Sequence, residues 1–216
     1  DYADRLRRGL RALPTLCVAV PELPDDYVEQ RAAVEIFWPE EAPPIQQDCG
    51  VYRFGGAWTH FDKKNYWLKF RPEYGARKLR APLFRGFDRG FQAVDTFDEL
   101  DLRSGSHDMV SRGFYLSARF TEDTMLDMGS INPHGRFVHL YFNGVYWGQY
   151  HLMERPTADF MATYLGGDEE DYDIMKGRSG ILNMEGDRVA WDYMVANTGN
   201  YEIVKEYLDI DNYIDY

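Results

Sequence analysis

Apolar and polar positions alternate with a period of two along much of the chain up to Glu154. That alternation predicts strands over residues 13–20, 32–38, 50–54 and 65–70, the last with Tyr66, Leu68 and Phe70 on one face. Pro21 and Pro24 close the first strand, Pro39, Pro43 and Pro44 the second, and Gly55-Gly56 the third. Shorter strands are predicted over 79–84 and 99–103. The strongest pattern lies at 137–154, where two β-rich runs flank Asn143-Gly144. This dipeptide suits a two-residue type I′ turn, whose central residues must both tolerate positive φ. With Asn143 and Gly144 as the loop, Phe142 pairs with Val145, Leu140 with Trp147 and His139 with Gly148. One face then carries Val138, Leu140, Phe142, Val145 and Trp147, and the other Phe137, Tyr141, Tyr146, Tyr150 and Leu152. Apolar side chains on both faces predict a hairpin covered on both sides, at the centre of a sheet.

Helical patterns dominate elsewhere. Residues 1–12 are charged, with Leu6 and Leu10 on one face among Arg5, Arg7, Arg8 and Arg11. Asp108 is a candidate N-cap for a helix over 109–120, interrupted by Gly113. Thr157 caps a helix ending at Leu165 before Gly166-Gly167. A strand is predicted at 172–175, an amphipathic helix at 187–196, and a last helix capped by Asp209 or Asp211. Strands first and helices afterwards read as α+β: a strand-rich lobe over 1–154 leading into a helical one over 155–216.

Composition narrows the function. Of 216 residues, 44% are hydrophobic and 16% aromatic, enough for one sizeable core or two small lobes. The formal net charge of −12 opposes binding to phosphate backbones or anionic membranes, so no nucleic-acid partner is expected. An anionic nucleotide requires locally concentrated cations, which Lys63, Lys64 and Lys69 supply, as do Arg71, Arg77, Lys78 and Arg80. No run is long enough for a membrane span. Cys17 and Cys49 fit equally two buried thiols or one disulfide. The five histidines lack zinc-ligand spacing, and the acidic run Asp168-Glu-Glu-Asp-Tyr-Asp173 does not follow a calcium-loop pattern. It reads as a solvated turn, and no metal is assigned to it.

The spacing Asn-Gly-x-Tyr-x-Gly-x-Tyr-x-x-x-Glu, carried by Asn143, Gly144, Tyr146, Gly148, Tyr150 and Glu154, resembles the signature of the CotH (spore-coat protein H) kinase family. Other segments are similar to the family too. Gly50-Val-Tyr-Arg-Phe-Gly-Gly56 resembles its glycine-ended strand, with Arg53 one position away from the usual arginine and hence on the opposite sheet face. Lys63-Lys-Asn-Tyr-Trp-Leu-Lys-Phe70 resembles its lysine-led strand. Leu100-Asp-Leu-Arg-Ser-Gly-Ser-His-Asp108 resembles its Leu-x-Leu-Arg segment, with His107 replacing an asparagine. The resemblance implies an atypical protein-kinase-like fold, use of ATP with Mg or another divalent metal, and phosphorylation of Ser or Thr on a protein outside the cytosol, at a cell or spore surface.

Phosphoryl transfer needs cations on the phosphate oxygens, backbone N–H groups around them, and carboxylates for the metal and the nucleophile. Gly55 and Gly56 are candidates for the flexible turn, and Arg53 for a phosphate contact. Lys63 is the expected phosphate lysine, with Lys64 the alternative. Strand alternation puts Lys63 on the face of Asn65 and Trp67, and Lys64 on that of Tyr66. Lys63 is expected to lean over a triphosphate pocket beneath the hairpin. Glu154 either closes the nucleotide cleft or makes a structural ion pair. Asp108 is either a partner for the lysine or a plain cap. Gly148 leaves a gap for an adenine ring or for an aromatic neighbour. The family's nucleophile-orienting Asp and metal-binding Asn are expected beyond Tyr216, so residues 1–216 alone are expected to have little transferase activity. The alternative function is a surface binding or adhesion module on the same fold.

Overall fold

A computed structural model describes residues 1–40, 42–55, 61–87, 89–106, 108–109, 113–177 and 181–215. Gly56 and His107 lie outside the described residues. The architecture is α+β and rich in strands. Seven strands close into a barrel: β1 (Thr15–Ala19), β2 (Glu29–Phe37), β3 (Ile45–Phe54), β4 (Asn65–Lys69), β7 (Glu99–Arg103), β9 (Val145–Glu154) and β8 (Gly135–Phe142), in that order around it. Neighbours pair antiparallel except β1 and β8, whose parallel register (Leu16 beside Leu140, Val18 beside Phe142) closes the ring. Two further strands, β5 (Leu79–Arg80) and β6 (Thr96–Phe97), form a small ladder of their own.

The alternation seen in the sequence fills the barrel. Leu16, Val18, Val34, Ile36, Val51, Leu68, Leu100, Leu102, Val138, Leu140 and Phe142 are almost wholly buried in one cluster. Each such side chain contributes about 1.5–3 kcal/mol on leaving water. Cys17 and Cys49 are free thiols on opposite faces of the wall. Burial pushes the Cys49 thiol up to about 12.

The hairpin turn forms at Asn143 (φ +47°) and Gly144 (φ +79°). The Asn143 amide also ties the tip to β1, accepting from Val20 N at 2.9 Å and donating to Val20 O at 3.0 Å. The pairing beyond the turn corrects the simple register. Phe142 faces Val145, but Tyr141 then faces Tyr146 and Leu140 faces Gly148, so Trp147 is an extra residue in a β-bulge. Gly148, at φ +111°, permits it. The bulge turns every later side chain of β9 to the other face, which is why Tyr150 and Leu152 join Val138 and Leu140 in the core rather than opposing them.

Helices cover the outside of the hairpin. Helix α1 (Tyr2–Arg11) meets His139, whose Nε2 lies 3.0 Å from Gly9 O. Helix α2 (Ser117–Asp127) packs over Arg103 and His151. The expectation of a helix over 109–120 falls partly on residues 110–112, outside the described residues; Gly113 takes φ +65°, and the Asp108 carboxylate lies beside Arg103. Helix α3 (Ala158–Leu165) starts where expected, Thr157 Oγ1 accepting from Phe160 N at 3.1 Å. A short hairpin follows, of β10 (Ile174–Gly177) and β11 (Ile181–Glu185). The chain continues through α4 (Val189–Ala196), α5 (Tyr201–Tyr207) and α6 (Ile210–Asp215). Asp209 caps α6 through Asn212 N. No described helix is long and apolar enough to cross a membrane.

Candidate functional site

Four barrel strands present a charged and aromatic outer face. On β7 the inward positions are Leu100 and Leu102, so Glu99, Asp101 and Arg103 point outward. The registers align rows across the wall. Tyr52, Trp67, Asp101 and Met153 form one row, with Lys69 beside Glu99 and Arg103 beside His151 on either side. Helix α2 covers one end of this face, and the segment after Glu154 covers the other.

At the α2 end, Arg103 stands between two carboxylates. Its Nη1 is 3.6 Å from Glu122 Oε1, and its Nη2 is 3.7 Å from Asp108 Oδ2. Asn65 Oδ1 accepts from Ser104 N at 2.7 Å and from Ser104 Oγ at 3.0 Å, pinning the strand end next to the arginine. Burial raises Glu122 to about 7 despite Arg119 and Arg103 beside it. His151 is pushed down to about 3, by burial first and then by Arg119 and Arg103, and is neutral across the physiological range.

Lys63 lies two residues ahead of β4. Its ammonium donates to Gln149 O at 2.5 Å and to Tyr115 Oη at 3.4 Å, and sits 4.5 Å from the Tyr150 ring centroid. Tyr115 Oη donates to the same carbonyl at 2.7 Å. The Lys63 stem lies against Gly148 and occupies the space beside it. Burial pulls the Lys63 ammonium down to about 8.

At the opposite end, Trp67 carries two cations. Lys69 Nζ is 3.6 Å and Arg155 Cζ 3.5 Å from its ring centroid, with Tyr52 and Phe54 edge-on at 5.5 and 6.2 Å. Arg155 Nη1 donates to both oxygens of buried Asp101, at 3.0 and 3.2 Å, and Arg155 Nε lies 3.4 Å from Glu99. Burial raises Asp101, and it lifts Glu99 to about 7. Trp67 Nε1 is buried without a hydrogen-bond partner among the described residues.

The other sequence candidates are placed differently. Lys64 offers its carbonyl to Tyr150 Oη at 2.9 Å. Arg53 pairs with Tyr66 on the inner side of the wall and gives its guanidinium to Asp26 at 2.7 Å, away from Lys63. Gly55 ends β3, and Gly56 is outside the described residues. Glu154 is buried. It accepts from His134 N at 2.7 Å, from His134 Nδ1 at 2.9 Å and from Tyr164 Oη at 2.7 Å, which fixes the end of β9. The acidic run forms a single 3₁₀ turn, Glu169–Asp171, closed by Asp171 on Asp168 N.

An open cleft of about 710 Å³ lies between the β5 segment and α3. Arg77, Lys78 and Arg80 line one wall; Asp159, Asp168 and Glu169 line the other. Its charges are partly spent on each other, Lys78 on Asp159 and Arg77 on Glu169. Lys63 lies against the hairpin at Gly148 and Gln149 and does not line that cleft.

Sequence reasoning missed Glu122, Arg119, His151 and Trp67 as members of the site. The available signal was Glu99-x-Asp101-x-Arg103, three charges at period two on a strand whose other face is Leu100 and Leu102. A family model described as CotH kinase protein matches residues 52–193, more than half of the chain. No curated protein matches it.

Proposed function

The chain belongs to the CotH kinase family, and from that we propose that the outer face of β3, β4, β7 and β9 binds ATP for phosphoryl transfer to a Ser or Thr of a protein outside the cytosol. On this proposal residues 1–154 are the nucleotide-facing lobe of an atypical kinase fold, and residues 155–216 belong to a helical lobe. The carrying observation is Arg103, a strand cation held by a carboxylate of the helix that follows, Glu122. Protein kinases place their phosphate-binding lysine in this way, paired from a strand to a glutamate on the next helix. Here the connection β7–α2–β8–β9 and the spatial order β7, β9, β8 provide the frame.

The residues fit a nucleotide in kind. Arg103 and Lys63 supply two cations for phosphate oxygens. ATP supplies the γ-phosphoryl group: its bond to the bridging oxygen breaks as one to the hydroxyl oxygen forms, ADP leaves, and a base takes the hydroxyl proton. The part these residues play is to hold and orient the phosphates. Among the described residues no three His, Cys, Asp or Glu side chains meet as metal ligands, so no step is assigned through a metal here.

Calorimetric titration of the chain with ATP tests the proposal. Saturable binding that competes with ADP and is lost in Arg103→Ala and Lys63→Met is the expected result. A chain indifferent to millimolar ATP would instead be a binding or adhesion module built on this fold.

A further inference from the structure

Arg119 is a charged residue in the first turn of α2, yet only 7% exposed. Burying a guanidinium is costly unless its donors are met; both Nη groups of this one meet acceptors, while its Nε is buried without a hydrogen-bond partner among the described residues. Nη1 lies 3.3 Å from Glu122 Oε2 and 3.4 Å from His151 Nε2; Nη2 lies 2.7 Å from Asp123 Oδ1 and 3.1 Å from Pro133 O. The space exists because residue 135 is glycine. A Cβ there would stand 2.5 Å from Arg119 Nη1, 2.5 Å from His151 Nε2 and 3.0 Å from Leu152 O.

We infer that Arg119 is a positioning residue for the nucleotide site proposed above: it clamps α2 to β8 and β9 at Gly135 and thereby sets where Glu122 meets Arg103. One carboxylate bridges two guanidinia, Oε1 towards Arg103 and Oε2 towards Arg119. Neutral His151 accepts rather than donates at Nε2, so it supports Arg119 without competing for Glu122. The charged groups acting on Glu122 are Arg119 and Asp123 from its own helix, and Arg103 and Asp101 from β7. Of these, Arg119 leads in keeping Glu122 ionised near neutral pH, which Arg103 needs in order to stay paired. Arg119 touches no phosphate; it acts through Glu122.

Two measurements on the full chain test this. Carbon-13 NMR of glutamate-labelled protein follows Glu122, and calorimetry follows ATP affinity between about pH 6 and pH 9. In Arg119→Met the Glu122 midpoint moves up, and ATP binds several-fold more weakly near pH 7 but recovers towards wild type near pH 9, where Glu122 ionises again. Arg119→Lys keeps the charge and restores most of both. Gly135→Ala, which crowds Arg119 and His151 while leaving Arg103 and Glu122 intact, shifts the midpoint in the same direction and keeps the inference testable should Arg119→Met not fold. An unchanged Glu122 midpoint in all three variants, with affinity lost equally at every pH, overturns it. Should wild type bind no ATP, the nucleotide site falls, while the Glu122 midpoint still decides the clamp.

Discussion

Gly148 and Lys63 share one space: a Cβ built on Gly148 would stand 3.7 Å from Lys63 Cε and 3.9 Å from its Nζ. The bulge that turns Tyr150 into the core thus also makes the bed for the lysine. At 3.7 Å a methyl group is tolerated, but the φ of +111° is not one that residues with a side chain readily adopt. Gly148→Ala is expected to cost about 1–3 kcal/mol of stability from backbone strain alone. Gly148→Val is expected in addition to displace Lys63 into solvent. Urea unfolding reads the first effect, and NMR titration of the Lys63 ammonium, returning towards its ordinary 10.5, reads the second.

Lys63 also predicts an alkaline effect. Its folded pKa, lowered by burial to about 8, lies below the unfolded value of 10.5. Between these limits the unfolded chain holds the proton more tightly, so this group's contribution to stability rises with pH across the window. Wild type should therefore gain on Lys63→Met as the pH goes from 8 to 10. A difference between the two proteins that stays flat across that range would contradict the buried position of the ammonium.

The His134–Glu154–Tyr164 cluster locks the end of β9 to α3. Burial pulls His134 down, but the hydrogen bond to Glu154, its charge and the bond to Phe91 O outweigh this, and the net shift is upward. A raised histidine contributes stability fully present below its unfolded value of 6.5 and lost as pH rises through its folded value. His134→Leu leaves the Glu154 carboxylate buried without its cation, at a cost of about 3–5 kcal/mol. Tyr164→Phe removes the hydroxyl that donates to Glu154 Oε1 and accepts from Val94 N, and costs about 2 kcal/mol. Thermal unfolding of both variants at pH 5.5 and 8 checks the order, with the His134→Leu deficit largest at the lower pH.

Glu99 sits beside Lys69 and Arg155, yet burial still holds its pKa up at about 7 against an ordinary 4.5. The folded state keeps that proton better than the unfolded one, so stability is highest below 4.5 and is lost as pH rises through 7. Glu99→Gln should flatten this decline, by about 1–3 kcal/mol between pH 5 and 8. Differential scanning calorimetry across that range shows it, and parallel curves for the two proteins would place the carboxylate in a better-solvated setting than the one described.

Much of the barrel was legible because its signals are local. Period-two alternation marked β1, β2, β4 and β7, and Asn143-Gly144 marked the turn. Helix α2 was not legible. Its buried face includes Arg119, a residue that no apolar pattern detects. Glu154 was visible as a residue of interest, but its engagement by His134 and Tyr164 depends on chain segments 10 and 20 residues away.

By itself the sequence determined which residues alternate, where the hairpin turns, and that β7 carries three charges on one side, since these follow from backbone geometry within a few residues. Tertiary structure alone decided three things. Trp147 is the bulged residue, β1 closes on β8 in parallel, and Glu122 joins Arg103 to Arg119 while Gly135 leaves room for Arg119 and His151. The physical reason is that a buried charge persists only where partners from several elements meet it together. Such a meeting is a property of packing, which no single stretch of chain encodes.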